Sequence, residues 1–190
     1  MSLWGNDIKP KNLTDAEKKE VFANKSGWVR EAGSVLSGNG NTGADPEVLV
    51  AISNLSANMG AANITEIEFV TTSFDKSDGG NIDVLVRFNE PVTVTGTPQV
   101  SITNGNQGSG TGRGPHLASY LSGSTTNELT FRFTLGAANA ATNENDVLVI
   151  GTNATALNSG TIKDTGEGTV ATITNTSAQG TAAGSITVAA

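Results

Sequence analysis

The chain has 190 residues, a formal net charge of −7, only 15% charged residues and no cysteine. No disulfide can brace the fold, no thiolate can ligate metal or attack a substrate, and no stretch reaches the roughly 18 apolar residues that insert into a membrane as a helix. The charge is uneven: six Lys or Arg against seven Asp or Glu up to Asn63, then five against eleven, so the acidic remainder would repel phosphates and excludes nucleic acid as a partner.

Twenty-three glycines, with frequent Thr, Asn, Ser and Val, suit a protein of strands and turns. Residues 1–12 hold Trp4 and Lys9-Pro10-Lys11 with little periodicity and read as an extended arm. The N-terminus offers neither a basic n-region nor an apolar h-region, so the expectation is a chain without signal peptide, kept in the cytoplasm of the producing cell. Thr14-Asp-Ala-Glu17 is a capping box that predicts a short helix to about Val21 or Ala23. Gly27-Trp-Val-Arg-Glu-Ala reads as a strand, paired in a hairpin with Val21-Phe22-Ala23 through Asn24-Lys25-Ser26.

Gly38, Gly40 and Gly43 match G-x-G-x-x-G, but no βαβ unit surrounds them and the stretch reads as a polar loop. Asp45-Pro46-Glu47 predicts a helix start, with Val48, Ile52, Leu55 and Met59 at helical spacing and Gly60 at C′. The alternative is a strand over Val48–Ile52.

From Asn63 the apolar period becomes two. Ile82, Val84, Val86 and Phe88 share one face, as do Leu129, Phe131, Phe133 and Leu135. Strands are predicted near 64–72, 81–88, 91–95, 98–103, 115–121, 127–135, 145–151, 168–175 and 185–189. Turn signals at Ser77–Gly80, Thr95–Pro98, Ser122–Thr125 and Asn158–Gly160 separate several of them. The glycine-rich stretch 105–114 reads as a mobile tip. Such strands stack as antiparallel sheets, so the predicted fold class is mainly β: a sandwich over 63–190 behind a small mixed anchoring segment over 1–62.

Candidate sites are few. His116 is the only histidine and has neither a partner nucleophile nor co-ligands in the pattern, so it reads as an ordinary strand-start residue. No serine lies in G-x-S-x-G. Asp75, Asp78, Asp83 and Glu90, Glu144 with Asp146, and Asp164 with Glu167 cluster without a calcium-loop spacing and read as solvated turn acids. The expectation is a non-enzymatic protein without cofactor or metal. The arm supplies the candidate assembly interface, namely Leu3, Trp4, Lys9, Lys11 and Trp28, because aromatic anchors are enriched at interface centres. Trp4 docks either on another subunit or on its own sandwich.

Four blocks resemble the bacterial Ig-like repeats of large surface adhesins. They are Phe88-Asn-Glu-Pro-Val-Thr-Val-Thr-Gly-Thr-Pro-Gln-Val-Ser-Ile, Ala118-Ser-Tyr-Leu-Ser-Gly-Ser124, Leu129-Thr-Phe-Arg-Phe-Thr and Leu157-Asn-Ser-Gly-Thr-Ile-Lys-Asp164. Their order matches the repeat pattern F-x-E-P-V-x-V-x-G-T-P, A-x-Y-x-S-G-S, L-T-F-x-Y and L-N-G-G-T-I-x-D. The resemblance implies an Ig-like sandwich. Adhesins carry many copies behind a signal peptide, whereas this chain has a single copy. Met1-Ser-Leu-Trp-Gly-Asn, Gly27-Trp-Val and Ala44–Ile52 are similar to structural proteins of T4-like cyanophages. Together these imply a virion protein assembled in the host cytoplasm, first of all a capsid decoration protein. Its partners would be the major capsid protein, other virion proteins or further copies of itself, with cell-surface glycans as an added target. A tail, neck or fibre component, or a carbohydrate-binding adhesin module, is the alternative.

Overall fold

The computed structural model describes residues 20–30, 47–55, 60–105 and 114–190. Among these the protein is mainly β, in two sheets. The smaller joins β1 (Val21–Asn24), β2 (Gly27–Arg30) and β3 (Glu47–Ala51) in that order. β1 and β2 form the expected hairpin, with Phe22 opposite Val29 and Ala23 opposite Trp28. Asn24 Oδ1 accepts from Ser26 N at 2.7 Å and closes the turn. Gly27 follows at φ +129°, and a Cβ there would strike the Val50 carbonyl; no other residue fits both demands.

In place of the predicted helix over 45–59, the described residues Glu47–Ala51 form a strand antiparallel to β2; residues 45–46 and 56–59 lie outside the described residues. Val48 and Val50 favour extended backbone, and the free edge of β2 supplies the ladder partners that a local N-cap signal cannot outbid. Likewise, the helix expected to reach Val21 or Ala23 gives way to β1; its start at Thr14 lies outside the described residues.

The larger sheet has nine strands: β4 (Ile64–Phe69), β5 (Phe74–Asp75), β6 (Gly80–Thr95), β7 (Gln99–Gly105), β8 (His116–Ser122), β9 (Thr126–Leu135), β10 (Val147–Ala156), β11 (Thr161–Asp164) and β12 (Ser185–Ala189). Their order is β11-β6-β9-β8-β7-β10-β12-β5, with β4 also paired to β6. All pairs are antiparallel except β12 with β5. Ile82, Val84, Val86 and Phe88 of β6 meet Val100 and Ile102 of β7, Leu129 and Phe131 of β9, Leu148 and Ile150 of β10, and Ile186 and Val188 of β12 in one apolar cluster. A single hydrogen-bonded sheet reaches that state only by curling over its own inner face, which gives a sandwich-like layout.

Three differences from the expected elements matter. The strands foreseen at 81–88 and 91–95 are one strand, β6, because the chain runs through Pro91 with a register shift between Arg87 and Val92 rather than a turn. Residues 168–175 form no strand; they are held by isolated bridges at Val170 and Thr172 and by single hydrogen bonds such as Ala171 N to the Ile162 carbonyl. Between them and β12 lies a short helix, α1 (Ser177–Ala182), capped reciprocally by Thr176 and Gln179.

Candidate functional site

Of the candidate interface residues, Leu3, Trp4, Lys9 and Lys11 lie outside the described residues, as does the Gly38–Gly43 loop. Trp28 is described and is 5% exposed. It packs with Val21 and Ala23, against Leu49, Val50 and Leu55. Its apolar surface is therefore consumed by the small sheet's own core.

That sheet is not detached from the rest. β1 runs against β6, and the β1–β2 turn meets the larger sheet at a cleft of about 180 Å³. Asn24 and Lys25 line one side; Pro91, Thr125, Thr165 and Gly166 line the other. The floor is tied by Thr165 N donating to the Pro91 carbonyl at 3.0 Å.

Directly beneath the floor are two buried acids, Glu90 at 0% and Asp164 at 1% exposure. Their position follows from strand phase. Ile82, Val84, Val86, Phe88, Glu90 and Val92 are all buried on alternate positions of β6, and Ile162 and Asp164 continue the same inward phase on β11. The reading of these acids as solvated turn residues is therefore corrected for Glu90 and Asp164, which the ladder carries into the core.

Asp164 Oδ1 accepts the backbone N–H groups of Gly166 and, at 2.9 Å, Glu167. Glu90 Oε1 accepts from Asn89 Nδ2 at 3.3 Å, and Asn89 Oδ1 in turn accepts from Asn63 N. The remaining oxygens, Glu90 Oε2 and Asp164 Oδ2, are buried and meet no N–H or O–H donor among the described residues, and the two carboxyl groups are near enough to influence each other's ionisation. Two carboxyl oxygens can hydrogen-bond each other only with a proton between them. Burial first, then the Asp164 charge, pushes the Glu90 carboxyl up to about 8.

The same correction applies to Asp146, which is buried at 0% exposure rather than solvated. Its Oδ2 accepts from Asn104 Nδ2 at 2.9 Å and Asn143 N at 2.8 Å, so it fastens the loop before β10 to the end of β7. Asp83 pairs with Arg132 through two bonds of 2.6 and 2.7 Å on the outer face. Asp78, Glu144 and Glu167 are exposed, as expected of turn acids. Among the described residues no group of three or more acids or histidines converges as a metal site.

His116 opens β8, as its sequence position suggests, but is buried at 3% exposure. Its ring stacks on Phe133 with centroids 4.8 Å apart, and burial lowers its pKa. Nε2 has no hydrogen-bond partner, so the neutral ring acts here as an aromatic packing element. No helix among the described residues is long and apolar enough to cross a membrane. Comparisons with protein-family models, curated proteins and solved structures gave no match.

Proposed function

We propose that this chain is a structural component of a phage virion. In this reading the sheet beyond Asn63 is an Ig-like sandwich displayed from the particle, and residues 1–62 provide the attachment, with capsid decoration as the specific role. The action is binding and display rather than catalysis. Leu3, Trp4, Lys9 and Lys11 are the residues assigned to docking on the major capsid protein or on another copy.

One observation supports the Ig-like reading above the rest: three of the four sequence blocks that resemble adhesin repeats carry irregular or demanding local geometry, while Leu129–Thr134 lies in a regular ladder of β9 with β6. Phe88-Asn-Glu-Pro91 is the shifted segment of β6. In Ala118–Ser124 the Tyr120 hydroxyl accepts from Ser124 N at 2.9 Å, while its ring packs edge-on against Phe131 at 6.0 Å. Gly123, between them, sits at φ +107°, where a Cβ would strike the Glu128 carbonyl. Thr161–Asp164 is β11, which pairs with Val92–Thr95 of β6 and brings Asp164 to Glu90. A chance likeness would not concentrate on residues with such demanding local geometry.

The test is co-sedimentation of the purified full chain with heads and with tails of a T4-like cyanophage. Saturable binding to heads, weakened by W4A and by K9E/K11E, supports decoration. Binding to tails alone moves the assignment to a tail, neck or fibre component. A monomer that ignores both but retains glycans on an array overturns the virion reading in favour of an adhesin-like module.

A further inference from the structure

We propose that Glu90 and Asp164 share one proton and form a pH-operated clasp that holds the seat of the β1–β2 hairpin. The inference is independent of the virion reading. It rests first on connectivity. Glu90 precedes Pro91, and Asp164 precedes Thr165 and Gly166; those three neighbours are the far wall of the cleft whose near wall is Asn24 and Lys25. The carboxyl–carboxylate bond and the Thr165 N to Pro91 carbonyl bond are successive stitches across one seam, between β6 and the turn after β11. Whatever separates the two acids also separates Pro91 from Thr165, and the hairpin loses its footing.

It rests second on the lack of any alternative partner for the facing oxygens. Both lie in the buried interior, neither meets a donor among the described residues, and an ionised pair there would bury two neighbouring negative charges with no cation from the described residues beside them. The neighbouring groups do not relieve this. From β6 and the segment before β4 come the neutral amides of Asn89 and Asn63. The turn after β11 adds Glu167, which increases the repulsion. Lys25 lies across the cleft, and Lys163 is exposed on the opposite face of β11. On the β9 side the residue opposite Val92 is the uncharged Thr126.

Release is a simple acid dissociation. The proton on Glu90 passes to hydroxide, leaving water and two carboxylates. The folded state holds this proton well above the ordinary glutamate range, at about 8, whereas the unfolded chain loses it near 4.5. Folded protein therefore binds one more proton than unfolded protein across that window. The contribution is complete below about 4.5, falls throughout the window, and is lost as pH rises through about 8. One proton of linkage lowers the folding constant about tenfold per pH unit.

The experiment uses the full chain carrying W4F, so that Trp28 in β2 is the sole tryptophan reporter. Urea unfolding is measured from pH 5 to 9 at fixed ionic strength for this protein and for E90Q, whose amide donates permanently to Asp164. The expected result is a folding constant that declines with pH relative to E90Q, approaching about tenfold per unit. Alongside it, amide exchange in residues 21–30 should accelerate above pH 8 relative to E90Q at the same pH, by more than the change in the global folding constant seen in β7 and β9. Should E90Q fold poorly, D164N serves instead, because its amide donates to an ionised Glu90 and also abolishes the slope. Parallel pH profiles for parent and variant would overturn the shared proton. A hairpin whose exchange ratio is constant across pH would overturn the link to the seat. Recovery of the parent at pH 9 by millimolar Ca²⁺, with E90Q indifferent, would replace the proton by a cation and overturn the clasp as stated.

Discussion

Two arginine–carboxylate groups on the outer face of the sheet look alike in sequence and should behave differently. Arg87 donates from Nη1 to Glu66 Oε2 at 2.8 Å and from Nε to Glu128 Oε1 at 2.7 Å. Its side chain is 14% exposed and that of Glu66 only 7%. Replacing Arg87 by Met keeps most of the stem but removes the cation between two carboxylates, one of them almost enclosed. Breaking a buried pair in this way costs about 3–5 kcal/mol, mostly from the charge left behind. Because the site is not fully enclosed, the lower end, about 3 kcal/mol, is expected. For a chain of this size that is a fall of about 6–12 °C in Tm. Arg132, at 38% exposure beside Asp83, is bathed in solvent on one side, so R132M should behave as an ordinary surface substitution. The assay is urea unfolding of R87M, R132M and R87M/E66Q at low and high salt. The double variant should regain part of the loss, and the R87M loss should change little with salt. Equal losses in R87M and R132M would refute the argument that burial, not the presence of an ion pair, sets the cost.

Other consequences can be read by the same unfolding assay. Burial keeps the His116 ring neutral in the folded state, so its contribution is present above the unfolded pKa and lost as pH falls below it; H116F should flatten the acid limb below about pH 6.5. Gly123→Ala must adopt φ +107° and displace the Glu128 carbonyl, and should cost more than the roughly 1 kcal/mol of an ordinary turn substitution. Tyr120→Phe removes the acceptor for Ser124 N but keeps the ring on Phe131, so a loss of about 1 kcal/mol is expected. Phe131→Ala, which empties a fully buried position, should cost about 3–5 kcal/mol.

Much of the larger sheet was legible because alternation is a strong signal wherever one face is buried. β7, β8, β9 and β12 lie within two or three residues of their expected limits. Failures came where side-chain pattern did not decide the outcome. Val48, Leu49, Val50 and Ile52 suit a helix stripe and a strand equally well, and only the waiting edge of β2 chose between them. β5 pairs through Phe74 and Asp75 alone, too short a stretch to leave a period. The alternation around Val170 and Thr172 produced bridges rather than a strand because their partners come from different segments, Lys163 and Asn63.

The buried acids are the most instructive case, since their signal was present and was overridden by residue type. Carboxylates near Pro and Gly ordinarily mark solvated turns. Yet the inward phase that begins at Ile82 runs through Phe88 and, past the buried Asn89 and the register shift, still places Glu90 and Val92 inward. The phase of Ile162 leads in the same way to Asp164. One inward acid in a β phase predicts strain; two on strands that pair with each other supply the solution, because a single proton satisfies both. The backbone has to accommodate that pair, and the register shift of β6 between Arg87 and Val92 occurs at the same residues. The local irregularity and the buried acid are thus two aspects of one requirement: β6 must pass from β4, its partner over Ile64–Phe69, to β11 while keeping Glu90 turned inward toward Asp164.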